Sequence, residues 1–196
     1  MVELRPYSPS DLDALYAICL QTGAAGADAS PLHSDPQLVG HIYAAPYGVL
    51  EPQNTFVAED DQGVAGYIVG TFDTDRFFDR LETEWWPSLR ARYADAHGMT
   101  EADQDRIDTI NRPHRSPTDL VAEYPAHIHM NLLPRLRGQR IGTRLLDMWV
   151  DHARAHGVPG IHLGASASNK GGIAFWTHGG FRQLREDSAV WFGMTL

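Results

Sequence analysis

The stretch that most constrains this chain runs from Leu132 to Leu146 and reads LLPRLRGQRIGTRLL. It has the form of a strand end, broken at Pro134, then a basic loop with two glycines, then an apolar helix entered at Thr143. Gly138 and Gly142 let the backbone turn tightly or come close to a ligand. A loop that opens a helix in this way leaves N–H groups pointing outward, and the helix dipole adds partial positive charge at the same place. Arg137, Arg140 and Arg144 bring charge of the matching sign. Arg137, Gly138, Gln139, Arg140, Ile141, Gly142 and Thr143 are therefore candidates for holding phosphate oxygens. An ordinary strand-to-helix turn with solvated arginines would have the same composition. The patterns GxxxxGK[ST] and GxGxxG are absent, which argues against a P-loop nucleotidase and a Rossmann dehydrogenase.

Around that loop the chain alternates strands and helices. Val2 to Arg5 is a short strand, and Ser8 or Ser10 caps a helix whose buried face carries Leu12, Leu15, Ile18 and Cys19. Gly23 to Pro36 reads as a loop. His41 to Pro52, rich in aromatics, is placed near the substrate side. Asn54 to Glu59 and Val64 to Thr71 are two strands joined by a hairpin turn ending in Gly63. Arg76 to Asn111 has helical spacing, interrupted at Pro87 and restarted by Thr100 with Asp103. Tyr124 to Leu133 is the central strand, and Arg144 to His156 is the helix after the loop. Gly160 to Ala165 follows as a strand parallel to the central one, by the right-handed crossover rule. A short helix, Ile173 to His178, precedes a closing antiparallel pair, Phe181 to Leu184 and Ala189 to Thr195. The expected result is one α/β domain over residues 1–196 with a mixed sheet. A helical insertion at about 76–120 would lie between the third and fourth strands. Such an insertion covers a site or adds core; we expect a lid over the acceptor, walled by Trp85 and Trp86.

Acids outnumber bases by 25 to 16, a formal charge of −9. That argues against general nucleic-acid binding and favours a cationic or amine substrate, although solubility also explains an acidic surface. Cys19 is the sole cysteine, so no intrachain disulfide forms and a reducing compartment is natural. The N-terminus has no signal-peptide pattern, and no apolar run reaches membrane-spanning length. These features place the protein in the cytoplasm, away from membranes.

The loop resembles the acetyl-CoA loop of the GNAT acetyltransferase superfamily, [Q/R]-x-x-G-x-[G/A], with Arg137 and Gly142 at its first and last positions. Where the family keeps its middle glycine, this chain has Arg140, so either the loop shifts slightly or Arg140 also grips the pyrophosphate. Asn169 to Phe181, NKGGIAFWTHGGF, resembles a second family segment through Asn169, Phe175, Gly180 and Phe181. Trp176 occupies the usual tyrosine position. HIYAAPYGVLEP, VAGYIVGTFDT and EWWPSLRARY further resemble the acetyltransferase-like C-terminal domain of O-GlcNAcases and its free-standing bacterial relatives. The resemblance implies a GNAT fold: a central, mixed, largely antiparallel twisted sheet with a splayed parallel strand pair and helices on both faces.

It also implies an N-acetyltransferase that moves acetyl directly from acetyl-CoA to a primary amine in a ternary complex, with no metal. Backbone groups of Asn131 and Leu132 would hold the arm and the acetyl carbonyl, and an N–H near Leu132 would stabilise the developing oxyanion. Asn169, Phe175 and Trp176 would line the pantetheine arm. His127 and His129, on one face of the central strand, lie near where the family places its base, with Tyr124 and Glu123 in reserve. An indole is not a usable acid, so Ser166, Ser168 and His178 are candidates to protonate the thiolate. Each histidine could equally be a satisfied core residue. A three-histidine metal site of His127, His129 and His162 is permitted by spacing but lacks a supporting carboxylate or cysteine. The alternative to an enzyme is a catalytically degenerate acyl-CoA-binding or protein-interaction module, because Arg140 and Trp176 replace family functional positions. Relatives of this kind often dimerise, which leaves a homodimer open, and the acceptor is not identified.

Overall fold

A computed structural model describes residues 2–196. Seven strands form one sheet in the order β1-β2-β3-β4-β5-β7-β6. They are β1 (Glu3–Pro6), β2 (Phe56–Asp60), β3 (Gly63–Thr71), β4 (Ala126–Leu132), β5 (Gly160–Ala165), β6 (Arg182–Glu186) and β7 (Val190–Thr195). All neighbours are antiparallel except β4 and β5. Those two are in register only at Ala126↔Ile161 and His127↔His162. Beyond His127, β4 stays paired with β3 and β5 with β7, while their shared edge opens.

Side-chain alternation on the central strands sets up two apolar faces. On one face, Tyr67, His127 and Asn131 meet α1 (Leu12–Gln21) and the short helices α2 (Leu38–Tyr43) and α3 (Ala45–Leu50). The aromatic stretch His41 to Pro52 thus forms the end of α2 and the whole of α3. On the other face, Gly70 lies beside Ile128 and under Trp149 of the helix α8 (Ile141–Ala155). Gly70 is required there, because a Cβ would stand 2.7 Å from the Trp149 ring and 2.4 Å from the His127 carbonyl oxygen.

Between β3 and β4 the expected insertion is present as α4 (Thr74–Arg80), a π turn (Leu81–Trp85), α5 (Trp86–Tyr93), α6 (Glu101–Asn111) and α7 (Thr118–Glu123). Pro87 starts α5, where its missing N–H costs nothing, and Thr100 with Asp103 forms a capping box on α6. Trp86 is in the core, and Trp85 donates its indole N–H to the His41 carbonyl at 2.9 Å. Trp85 thus braces the insertion against α2, and neither tryptophan lines the groove described below.

The helix α8 spans Ile141–Ala155 and starts earlier than Thr143, while α9 spans Lys170–His178 and starts before Ile173. In α9 the cause is local: the Asn169 side chain accepts the Gly172 N–H at 2.9 Å and caps the first turn. Leu145, Leu146, Trp149, Val150 and Ala153 form the buried stripe of α8. Its end is a Schellman closure, with Gly157 at φ 70° and the Val158 N–H on the Ala153 carbonyl at 3.1 Å.

Candidate active site

The opening between β4 and β5 leads into a groove of about 490 Å³. Its floor is the free edge of β4, and its mouth is the loop between β4 and α8. The Leu133 N–H bonds the Ala65 carbonyl at 2.8 Å, which directs that side of β4 toward β3. By strand alternation Asn131 points its backbone the same way, whereas Met130 and Leu132 point theirs into the opening. Asn131 lines the groove, but with its backbone turned to β3 it meets the opening through its side chain and not through the backbone groups expected to hold the arm. Its amide is fixed at both ends, accepting from the Tyr67 hydroxyl at 3.0 Å and donating to Thr22 at 2.6 Å.

At the mouth, Pro134–Leu136 forms a single 3-10 turn and buries Leu136. Gly138 (φ 74°) and Arg140 (φ 59°) then turn the backbone through left-handed conformations. Alternating handedness of this kind fans successive N–H groups toward one side. From Gly138 to Thr143 no backbone N–H finds an acceptor among the described residues; intrahelical bonding begins when Arg144 donates to Arg140. The first turn of α8 contains no acidic residue. Arg140 and Arg144 pair with no carboxylate among the described residues, whereas Arg135 is taken by Asp60 at 2.7 Å. The mouth is thus a concentration of unspent donors and positive charge, the condition for holding a phosphate.

Gly142 acts differently from Gly138. A Cβ on Gly142 would lie 3.1 Å from Leu132 and 3.2 Å from Phe175, so its bareness lets α8 and α9 close on β4. Phe175 stacks edge-on to Trp176, and Trp176 to Phe181, giving the groove an apolar wall.

All the predicted cofactor residues line this groove except Gln139, whose side chain turns away to the Arg135 carbonyl at 2.7 Å. The predicted catalytic residues do not line it. His127 is buried with both ring nitrogens occupied, by Tyr47 at 2.7 Å and Thr74 at 2.8 Å, and burial pushes it well below the usual imidazole range. His129 stands where the strands begin to part, boxed by the rings of Tyr43, Tyr47 and His127 at 5.5–6.0 Å. Burial, with His162 nearby, brings it down to about 4. His162 bonds the Tyr124 carbonyl and Ser116, so the three histidines do not converge their nitrogens on one point. Ser168 is exposed and bonds Ser166 at 2.8 Å. Ser166 and His178 are exposed as well. Thr22, Ala25 and Gly26 line the groove and were not expected. The signal for them was the run of small residues GAAGADA, which allows close backbone approach. Met130 was also missed, since side-chain alternation hides a residue that enters through a free strand edge.

A sheet divided at one parallel pair, with a phosphate-ready loop at the mouth of the division, is the architecture of GNAT-type acetyltransferases. The chain belongs to the Acetyltransferase (GNAT) family, whose model matches residues 30–181. It is 33% identical to SsHAT, whose crystal structure superposes with a TM-score of 0.91, covering 99% of this chain and 98% of that one. Protein O-GlcNAcase of Rattus norvegicus is 24% identical over 177 residues, 89% of this chain and 19% of that protein. The chain therefore spans about a fifth of the length of the curated relatives it matches. The PaiA N-acetyltransferase of Thermoplasma acidophilum, solved in complex with coenzyme A, shares the fold with a TM-score of 0.61 and 14% identity, covering 100% of this chain and 99% of that one.

Proposed function

We propose that residues 1–196 act as one acetyltransferase domain that moves acetyl directly from acetyl-CoA to a primary amine. The observation that carries this reading is the run of unsatisfied amides from Gly138 to Thr143 at the mouth of the divided sheet. These amides, with Arg140 and Arg144, would hold the diphosphate. The Asn169 amide, Phe175 and Trp176 would flank the arm. The Leu132 N–H, aimed into the opening, would donate to the thioester oxygen as charge develops there. One such preorganised donor lowers the barrier by on the order of 3 kcal/mol. His129, neutral at physiological pH, would take the proton of the incoming ammonium. Residues of the chain need supply no covalent intermediate, since holding both reactants together provides much of the rate.

The test is release of free thiol from acetyl-CoA across a panel of amines. A second reading, an acyl-CoA-binding or protein-interaction module, is favoured by the enclosure of His127 and the tryptophan at position 176. It predicts tight acetyl-CoA binding with no thiol release on any amine. Among the described residues no helix is long and apolar enough to cross a membrane. With the buried free thiol of Cys19, this supports a cytoplasmic placement.

A further inference from the structure

The turn Ala24 to Ala27 is a closed unit. Ala24 and Ala27 exchange both backbone hydrogen bonds, at 3.0 and 2.9 Å, and the Gly26 N–H bonds the Thr22 carbonyl at 3.1 Å. Both corner residues are left-handed, Ala25 at φ 52° and Gly26 at φ 90°. The tip reaches both walls of the groove. On one side the Arg137 guanidinium donates to the Gly26 carbonyl at 2.6 Å. On the other, a Cβ on Gly26 would lie only 3.9 Å from the Asn169 side-chain oxygen, at the cap of α9. Thr22, at the root of the turn, holds Asn131 on the floor.

Past the turn, the chain is tied to the helical insertion at several points: Tyr93 donates its hydroxyl to Asp35 at 2.8 Å, and Asp103 gathers the most bonds. Asp103 is fully buried and accepts from His33 at 2.8 Å, from the Ser34 N–H at 2.9 Å and from the Ser34 hydroxyl. Thr100 of the same capping box donates its hydroxyl to the Leu32 carbonyl at 2.7 Å. A capping box needs only Thr100 and Asp103, so the donors from 33–34 serve a separate purpose. Burial would raise the Asp103 carboxyl, but its donors hold it at about 2, which keeps the tie charged at any physiological pH.

We infer that residues 22–36 form a strap roofing the coenzyme groove, with Asp103 of the insertion as its positioning residue. This rests on the coenzyme site proposed above. The strap encloses the thioester arm and keeps water from its carbonyl. Loosening it opens a side reaction: water adds to the carbonyl, the C–S bond breaks, and acetate, free coenzyme A thiol and a proton leave. Arg137 joins the strap to the phosphate loop, so occupancy of the mouth and closure of the roof are coupled through one guanidinium.

The experiment compares the full wild-type chain with Asp103→Asn, and with Asp105→Asn as a charge-matched control on the exposed side of α6. For Asp103→Asn, coenzyme A should dissociate about tenfold faster, and thiol release from acetyl-CoA without any amine should rise several-fold. Asp105→Asn should match wild type in both. Hydrogen exchange on the wild-type chain needs no variant to fold: coenzyme A should slow exchange at Ala24, Gly26 and Ala27. Unchanged dissociation in Asp103→Asn, or unchanged exchange at those amides on saturation with coenzyme A, overturns the strap. A wild-type chain that fails to bind coenzyme A overturns the coenzyme site itself.

Discussion

His127 and His162 are the last facing pair of the two parallel strands, with their rings 5.6 Å apart, and the sheet divides immediately beyond them. Burial favours the neutral form of both rings, and hydrogen bonds occupy all four of their nitrogens. Thr74 donates its hydroxyl to the Pro125 carbonyl at 2.6 Å, so it can only accept from His127 Nδ1, and Tyr47 donates to Nε2. His162 donates Nδ1–H to the Tyr124 carbonyl at 2.6 Å and accepts from Ser116 at 2.9 Å. A proton added to either ring would displace an O–H donor and charge a buried site.

Acid stability follows from this arrangement. His127, His129 and His162 all have folded pKa values lowered from 6.5 by burial, and His129 reaches about 4. The unfolded chain therefore binds more protons than the folded one in this window, so stability falls as pH drops from about 6.5 toward 4. His129 alone accounts for on the order of 3 kcal/mol of this loss. Urea unfolding at pH 7 and pH 4.5 measures it, and His129→Gln should remove the His129 share. A midpoint independent of pH over this range would contradict the burial of these rings.

The base proposed for the reaction has a linked signature. If His129 accepts the ammonium proton, the acid limb of kcat/KM lies near pH 4, not near the ordinary imidazole value. His129→Ala should lower kcat by about 10²-fold or more and abolish that limb, with coenzyme A affinity little changed. A limb that persists in His129→Ala assigns the base elsewhere.

Arg140 combines two opposed effects. Its left-handed backbone, φ 59°, is strained for a residue with a Cβ, by roughly 1–2 kcal/mol. Arg140→Gly should therefore raise the melting temperature by a few degrees while weakening coenzyme A binding several-fold through loss of an unpaired cation. Calorimetric melting and a binding titration separate the two. A variant less stable than wild type would show that the side chain stabilises the loop by contacts that outweigh the strain.

Gly142→Asp should weaken coenzyme A binding by tenfold or more, about 1.4 kcal/mol, by setting a carboxylate at the mouth. Its Cβ also meets Leu132 and Phe175 at 3.1 and 3.2 Å, so crowding contributes. Gly142→Asn carries the same crowding without the charge. The difference between the two variants in a titration at low salt isolates the electrostatic part, and equal affinities would remove the phosphate from this position.

Much of the architecture was legible in residue order. Periodicity is local, so β3, β4, β5 and the stripe Leu145, Leu146, Trp149, Val150, Ala153 lie where their spacing put them. The capping box Thr100 with Asp103 and the start of α5 at Pro87 were legible for the same reason. The helices α2 and α3 were not, because Gly40, Gly48 and Pro46 have poor helical propensity. Packing against Tyr16, Leu15 and Tyr7 decides them instead.

By itself the sequence determined the order of elements, the position of the glycine-bearing loop and the charge around it, since these depend on neighbours within a few residues. Only the tertiary structure decided which histidines are enclosed, that Asn131 contributes its side chain, and that residues 24–27 cross the groove. Those outcomes depend on contacts such as Thr22 with Asn131 and Arg137 with Gly26, between residues more than a hundred positions apart. Spacing along a chain encodes which face a residue occupies; what stands opposite it is set only when the sheet divides and the core closes.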